Sequence, residues 1–343
     1  MSAPHVAKWW TSLPDGRVRC EVCPRFCTLR DGQRGFCFVR MNRGGKLVLD
    51  TYGRSSGFAV DPVEKKPLNH FLPGSAVLSF GTAGCNLGCK FCQNWTMSTS
   101  REFDDLAVEA SPKQIAKAAK QTGSQSVAFT YNDPVIFAEY AIDTANACRD
   151  AGIHPIAVSA GYICDEPGRA LYGAMDAANI DLKGFTDRFY RKVTGGRLET
   201  VLETLKHVND SDCWLEITTL LIPGENDDAG ELREMSQWIV ENLGPNVPHH
   251  FSAFHPAHRM LDTPPTPPET LQLARDIAME EGEHYVYTGN TFDPNGQSTY
   301  CPTCGERVIF RDRYFVRANH LVIDEDGRGS CPACNTHIPG VFA

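Results

Sequence analysis

The central part of the chain alternates two kinds of apolar pattern. Short apolar runs at Ala76-Val-Leu-Ser-Phe80, Ser126-Val-Ala-Phe-Thr130, Pro155-Ile-Ala-Val158, Ala177 to Leu182, Trp214 to Ile222, His249 to Phe254 and Tyr285-Val-Tyr287 read as strands. Segments with helical spacing lie between them. Ser111-Pro112-Lys113-Gln114 offers an N-cap serine, a proline at the first helical position and a capping-box glutamine, and predicts a helix to about Gln121. Asp133-Pro134 opens a helix with the stripe Phe137, Tyr140, Ala141, Ala145 and Cys148, closed by Gly152. Further helices are predicted near Glu199 to Asn209, from an Asn226 cap to a stop before Gly244, and from Pro267-Pro268 with Leu271, Ala274 and Ile277 on one face. Repeated βα units imply a parallel sheet with short crossovers. The fold class expected is α/β: a full or partial TIM barrel of about six βα units, (β/α)6, whose ligands bind at the C-terminal ends of the strands. An open doubly wound sheet is the alternative, but no G-x-G-x-x-G follows the first strand.

Composition narrows the function. The chain has 343 residues, 42% apolar and 22% charged, as expected of a soluble globular protein. Its 33 Lys+Arg against 42 Asp+Glu give a net charge of −9, which argues against a nucleic-acid partner. No apolar run approaches the roughly 18 residues of a membrane span. Met1 to Leu13 lacks the apolar stretch of a signal peptide, so a cytoplasmic location without membrane association is expected. In a reducing compartment the 14 cysteines are metal ligands sooner than disulfides. Eleven of them form three groups, which divide the chain into a cysteine-rich extension over 1–74, a barrel over 75–290 and a tail over 291–343.

The group Cys85, Cys89 and Cys92 follows the first strand with spacing C-x3-C-x2-C. Three thiolates do not complete a structural zinc site, but they can hold three irons of a [4Fe–4S] cube and leave the fourth open to a ligand. Phe91 would shield such a cluster from water. The alternative is a zinc site finished by a histidine such as His70. In the tail, Cys301-Pro-Thr-Cys304-Gly305 and Cys331-Pro-Ala-Cys334-Asn335 are two knuckles, each followed by a residue tolerant of a left-handed turn. They predict a zinc-ribbon or rubredoxin-like module with zinc favoured over iron. Arg307 to Phe315 and His320 to Ile323 between them alternate like hairpin strands. In the head, Cys20, Cys23, Cys27 and Cys37 lie among basic residues and fit either zinc or an auxiliary [4Fe–4S] cluster. Cys148, Cys164 and Cys213 read as structural, as do His249-His250, and Arg101 to Asp105 reads as a solvated loop.

With its aromatic before the last cysteine, the C-x3-C-x2-C motif resembles the signature of the radical S-adenosylmethionine (SAM) superfamily. The stretches Asp61-Pro-Val-Glu-Lys-Lys-Pro-Leu-Asn-His70-Phe-Leu-Pro-Gly74, Thr130-Tyr-Asn-Asp-Pro134, Asp181-Leu-Lys183, Leu221-Ile-Pro-Gly224, Phe254-His-Pro256 and Tyr287-Thr-Gly-Asn290 resemble the pyruvate formate-lyase activating-enzyme branch, and most of all the AmmeMemoRadiSam-system enzymes. The resemblance implies an enzyme that binds SAM at the open iron, cleaves it reductively and uses the 5′-deoxyadenosyl radical to abstract hydrogen from a substrate. It implies an electron donor such as flavodoxin or ferredoxin. Its partners would be either AMMECR-type and Memo-type companions or a glycyl-radical protein, whose glycine an activase would oxidise. By the same resemblance Asp133 would contact the SAM amino group, although an N-cap role is equally open. Ser159 follows the third strand where relatives contact ribose and carboxylate. Asp181 and Lys183 would offer charge near the SAM carboxylate, unless they only pair with each other. His255 would pack on the methionine moiety, and Asn290 is a further candidate. A non-catalytic iron–sulfur or zinc scaffold for electron transfer is the alternative from another class.

Overall fold

The structure is a computed structural model that describes residues 5–101 and 108–343. The predicted solvated loop at 101–105 therefore falls, beyond Arg101, outside the described residues. Seven parallel strands form the centre: β1 Ala76–Gly81, β2 Ser126–Phe129, β3 His154–Ser159, β4 Ala177–Asp181, β5 Trp214–Leu221, β6 His249–Ala253 and β7 Val286–Gly289. Each pairs with its neighbour in sequence, and β1 does not pair with β7. The result is a partial TIM barrel of six βα crossovers plus a seventh strand. An edge strand, Arg54–Pro62, pairs antiparallel with β1 and carries the short strand Val108–Glu109, so the sheet extends into residues before the predicted start of the barrel.

The elements form for the reasons the sequence offers. Ser111 accepts the Gln114 amide while the Gln114 side chain returns to the Ser111 amide, a complete capping box at the head of the helix Pro112–Gln121. All four β2 side chains are buried, as a strand covered on both faces requires. Two elements escaped the pattern. The helix Asp165–Tyr172 carries Pro167 and Gly168 in its first turns, where proline is tolerated but reads as a breaker. Asp187–Phe189 runs into a π-helical turn, Tyr190–Thr194, closed by Gly195 at φ 74°. Asn226 is not a helix cap. Asp228 caps Ala229–Leu243 by accepting the amides of Gly230 and Glu231. The Asn226 side chain instead accepts from Ile222 N (2.7 Å) and donates to the Lys183 and Leu220 carbonyls (2.8 and 2.9 Å), tying the exits of β4 and β5 together. In the tail the first predicted strand breaks at Arg313, φ 56°, to give the hairpin Arg307–Asp312 and Phe315–Asn319.

Residues 61–74 and the tail pack against the barrel through buried polar groups. Asp61 pairs with Lys65 and Lys66, both at 2.8 Å. Arg311, 1% exposed, donates to the Asn69 carbonyl (2.6 Å) and Thr299 Oγ1 (2.8 Å) and lies 3.4 Å from Glu64. Glu216 on β5 accepts from the amides of Asn69 (2.9 Å) and His70 (2.7 Å), from His250 Nε2 (2.6 Å) and from Trp214 Nε1 (3.1 Å). His70 is wholly buried between the Pro339 carbonyl and the Tyr287 hydroxyl, both at 2.6 Å. The head is pinned by Arg40, which is 2% exposed, reaches both Glu139 oxygens (2.9 and 2.5 Å) and donates to the Ile136 carbonyl (2.9 Å).

Burial lowers the His70 pKa from 6.5 to about 4. The unfolded chain therefore binds a proton at this residue that the folded chain refuses. The associated stability is complete above pH 6.5 and drains away as pH falls toward 4, at up to about 1.4 kcal/mol per pH unit. Denaturant midpoints between pH 7.5 and 5 should fall more steeply for the wild type than for His70→Gln, by about one proton. Equal slopes would contradict a buried neutral His70.

Candidate functional site

The seven strand ends converge on one cleft, lined from β1 to β7 by Cys85, Cys89 and Cys92, Thr130 to Asp133, Ser159 and Ala160, Asp181 and Lys183, Thr218 and Leu220, Ser252 and Asn290. The loop bearing the cysteines is held from several sides. Asn132 accepts the Thr82 amide (2.9 Å) and donates to Thr82 Oγ1 (3.0 Å) and to the Gly84 carbonyl (2.8 Å). The π-helical turn accepts the amides on either side of Cys89: Gly88 N to Thr194 O (2.8 Å) and Lys90 N to Val193 O (3.0 Å). Gly84 has φ 83°, and a Cβ there would lie 2.1 Å from the Cys37 carbonyl oxygen, so only glycine lets the head approach this closely.

The three sulfurs share the cleft without crowding. No three of them lie within 4.8 Å of one another, whereas the four tail sulfurs do. One tetrahedral zinc with bonds of about 2.3 Å needs sulfurs about 3.8 Å apart. The trio is too open for that, and His70, spent on two protein bonds, cannot complete a zinc site with it. A cube of four irons fits the wider separation and the three-ligand count. Burial pushes the Cys89 thiol up to about 12 and raises Cys85 as well, so neither ionises into water near neutral pH. Phe91 is buried, lines the cleft and stacks on Phe189 at 6.3 Å between ring centres.

Other candidates divide. Asp133 lies in the cleft wall, but its carboxylate accepts from Val135 N (3.1 Å), Ser159 Oγ (2.9 Å) and Ala160 N (3.0 Å). It is the N-cap of the turn Pro134–Phe137 and braces the exits of β2 and β3. Ser159 also accepts from Gly161 N (3.1 Å) and Tyr172 OH (3.0 Å), which occupies its hydroxyl. Lys183 donates to Asp181 at 2.6 Å. Burial acts to lower its pKa, but Asp181 and Cys89 raise it further, so it is a permanent cation at the cluster loop. His255 is exposed and lines an open cavity that adjoins the cleft, with Gln93, Asn290, Phe292, Arg313 and Tyr314. The Nε2 of His255 lies 3.4 Å from the Asn290 carbonyl oxygen. Asn290 and Gln93 line both spaces. Asn132 was missed, although its place between Thr130 and Asp133 at a strand end was a usable signal.

Residues 80–236 match the family model of the radical SAM superfamily. The chain carries a radical SAM domain. A radical SAM domain implies a [4Fe–4S] cluster and SAM, and residues 80–236 contain the trio Cys85, Cys89 and Cys92. The chain is also 40% identical over 332 residues to an uncharacterised protein of Methanocaldococcus jannaschii, covering 97% of this chain and 98% of that one. It is 20% identical over 230 residues to the pyruvate formate-lyase 1-activating enzyme of Escherichia coli K12, covering 63% and 93%. Among solved structures, that of SuiB of Streptococcus suis bound to the precursor peptide SuiA matches with TM-score 0.51 at 14% identity, covering 66% of this chain and 51% of that one, a likeness of fold. No helix among the described residues is long and apolar enough to cross a membrane.

The tail knuckles face each other. Cys301 and Cys334 sulfurs are 3.6 Å apart, as are those of Cys304 and Cys331, near the edge length of a tetrahedral single-metal site. Gly305 (φ 74°) and Asn335 (φ 59°) adopt the expected left-handed turns.

Asn132 supports the cluster loop without touching a sulfur. Asn132→Ala should weaken iron retention at the cleft about 10-fold or more. Iron lost to a chelator over time measures this, with tail metal as internal standard. Unchanged iron retention would reduce Asn132 to a packing residue.

Proposed function

We propose that Cys85, Cys89 and Cys92 hold three irons of a [4Fe–4S] cluster and that SAM occupies the cleft beside the fourth. The observation that carries this is the meeting of exactly three cysteine sulfurs, with no fourth, where all seven strand ends converge. Bound together, the reduced cluster and SAM supply methionine and a 5′-deoxyadenosyl radical able to take hydrogen from a substrate. The chain's own residues shape that chemistry. Lys183 offers its ammonium to the SAM carboxylate, with Asp181 holding it in place. Asp133 and Ser159, committed to protein bonds, keep the wall rigid and present the backbone of 130–133 and 159–161 to the ligand. Phe91 with Phe189 excludes water. A flavodoxin- or ferredoxin-type protein supplies the electron.

The substrate enters from the adjoining cavity, about 460 Å³, whose far wall is the tail hairpin turn at Arg313 and Tyr314. A tail residue at that position favours a small molecule or a short extended segment. The 20% identity to an activating enzyme favours the second reading, abstraction from a protein glycine. The tail quartet holds zinc as a structural site, and Cys20, Cys23, Cys27 and Cys37 form a further metal site.

Protein reconstituted with iron and sulfide, reduced with dithionite and given SAM should release 5′-deoxyadenosine and methionine in equal amounts. Cys89→Ala should abolish the release while the tail keeps its metal. Fully loaded wild-type protein that leaves SAM intact would sink the reading.

A further inference from the structure

The head quartet is built like the cluster trio and unlike the tail quartet. Its sulfurs line a cavity together with Val22, Arg25, Phe26, Arg40 and Asn86. Among the described residues, the tail quartet is the one group of three or more candidate ligand atoms lying within 4.8 Å of one another, so no three head sulfurs approach that closely. A single tetrahedral metal would draw all four to about 3.8 Å. Thiolates on the corners of an iron–sulfur cube stand roughly 6 Å apart, because four metals separate them. The tail serves as internal control for one geometry and the catalytic trio for the other.

Two further observations fit a cube. Backbone amides face the head sulfurs, as at Cys27, whose sulfur lies 3.5 Å from Phe36 N, and such donors offset the negative charge of a cluster. The head cavity also abuts the catalytic loop. Asn86, next to Cys85, lines it, and Arg25 holds that residue by donating to the Asn86 carbonyl (2.5 Å) and to the Gly195 carbonyl (2.8 Å). On the other side the Cys37 carbonyl packs against Gly84.

We infer that Cys20, Cys23, Cys27 and Cys37 hold a second [4Fe–4S] cluster, fully ligated and lying beside the catalytic one. With all four irons bound by thiolate it offers no open position, so it does not bind SAM. This inference stands apart from SAM cleavage and is tested without it.

The variant Cys85→Ala/Cys89→Ala/Cys92→Ala, reconstituted anaerobically, should retain about four irons and four sulfides per chain and, once reduced, a half-integer-spin EPR signal that SAM leaves unchanged. Wild-type protein should hold about eight irons, and its reduced EPR spectrum should be broadened by coupling between neighbouring clusters. Cys23→Ala/Cys27→Ala should drop iron from about eight to about four while the tail keeps its metal. A triple variant that carries, beyond its tail metal, one zinc or one iron and no sulfide overturns the inference. So does wild-type protein with about four irons and two zincs, and that result leaves the catalytic trio standing.

Discussion

A parallel sheet that stops at seven strands and does not close leaves a gap between its first and last strands, and most of what surrounds this barrel fills that gap. Backbone groups on an open edge need partners, and side chains facing the lumen need cover. On the β1 side the edge strand Arg54–Pro62 supplies the partners. Residues 61–74 pack Val63, Leu68, Phe71 and Leu72 against Val77, Ala128, Ile156 and Ala177 of β1 to β4. The tail packs on Tyr285 and Tyr287 at β7, and polar groups fasten the two together. Glu216 collects four donors and Arg311 spans Asn69, Thr299 and Glu64. Such groups stabilise only as complete sets, because removing one partner strands a buried charge at a cost of about 3–5 kcal/mol. The stretch Asp61 to Gly74 is therefore a structural closure of the barrel, and its lysines serve Asp61 and not a ligand.

That closure also explains why the tail reaches the functional cleft. Its hairpin must lie along the seam to bring Arg311 to Asn69, and the same hairpin carries Arg313 and Tyr314 to the rim beside Gln93 and Asn290. A module built around its own four cysteines thus forms one wall of the space next to the cleft.

The sequence disclosed what depends on local period and on ligand spacing. The strands, the capping box at Ser111 and the cysteine trio were all legible, since each is decided within a few neighbouring residues. Elements whose start signals conflict were not. Pro167 and Gly168 hide a real helix, and a π-helical turn has no periodic signature at all. Asn226 and Asp228 both offer a cap, and only the paths of β4 and β5 decide between them. A residue beyond a strand end lines the mouth or the space beside it according to the loop that follows, and His255 lines the space beside it. Asp133 sat between two readings because a carboxylate at a strand end suits a helix amide as well as a ligand amine; its three protein donors favour the first.

The two cysteine sites that flank Gly84 each carry a cation paired with a carboxylate, Arg40 with Glu139 and Lys183 with Asp181, and the difference between those cations separates their roles. A cluster held by thiolates is negative, and low dielectric makes nearby positive charge necessary. At the head the cation is Arg40, a planar fork with its Nε and both terminal nitrogens committed to Glu139 and the Ile136 carbonyl. It is fixed, and its remaining hydrogens have no open cleft to face, since the cavity it lines is the one bounded by the four cysteines. At the trio the cation is Lys183, whose ammonium makes one bond, to Asp181, and has capacity for two more. It lines a cleft open to solvent. A closed site with an arginine fixed at three nitrogens suits a cluster that binds nothing but its four thiolates, and an open site with a lysine bonded once suits one that must share its cleft with a carboxylate.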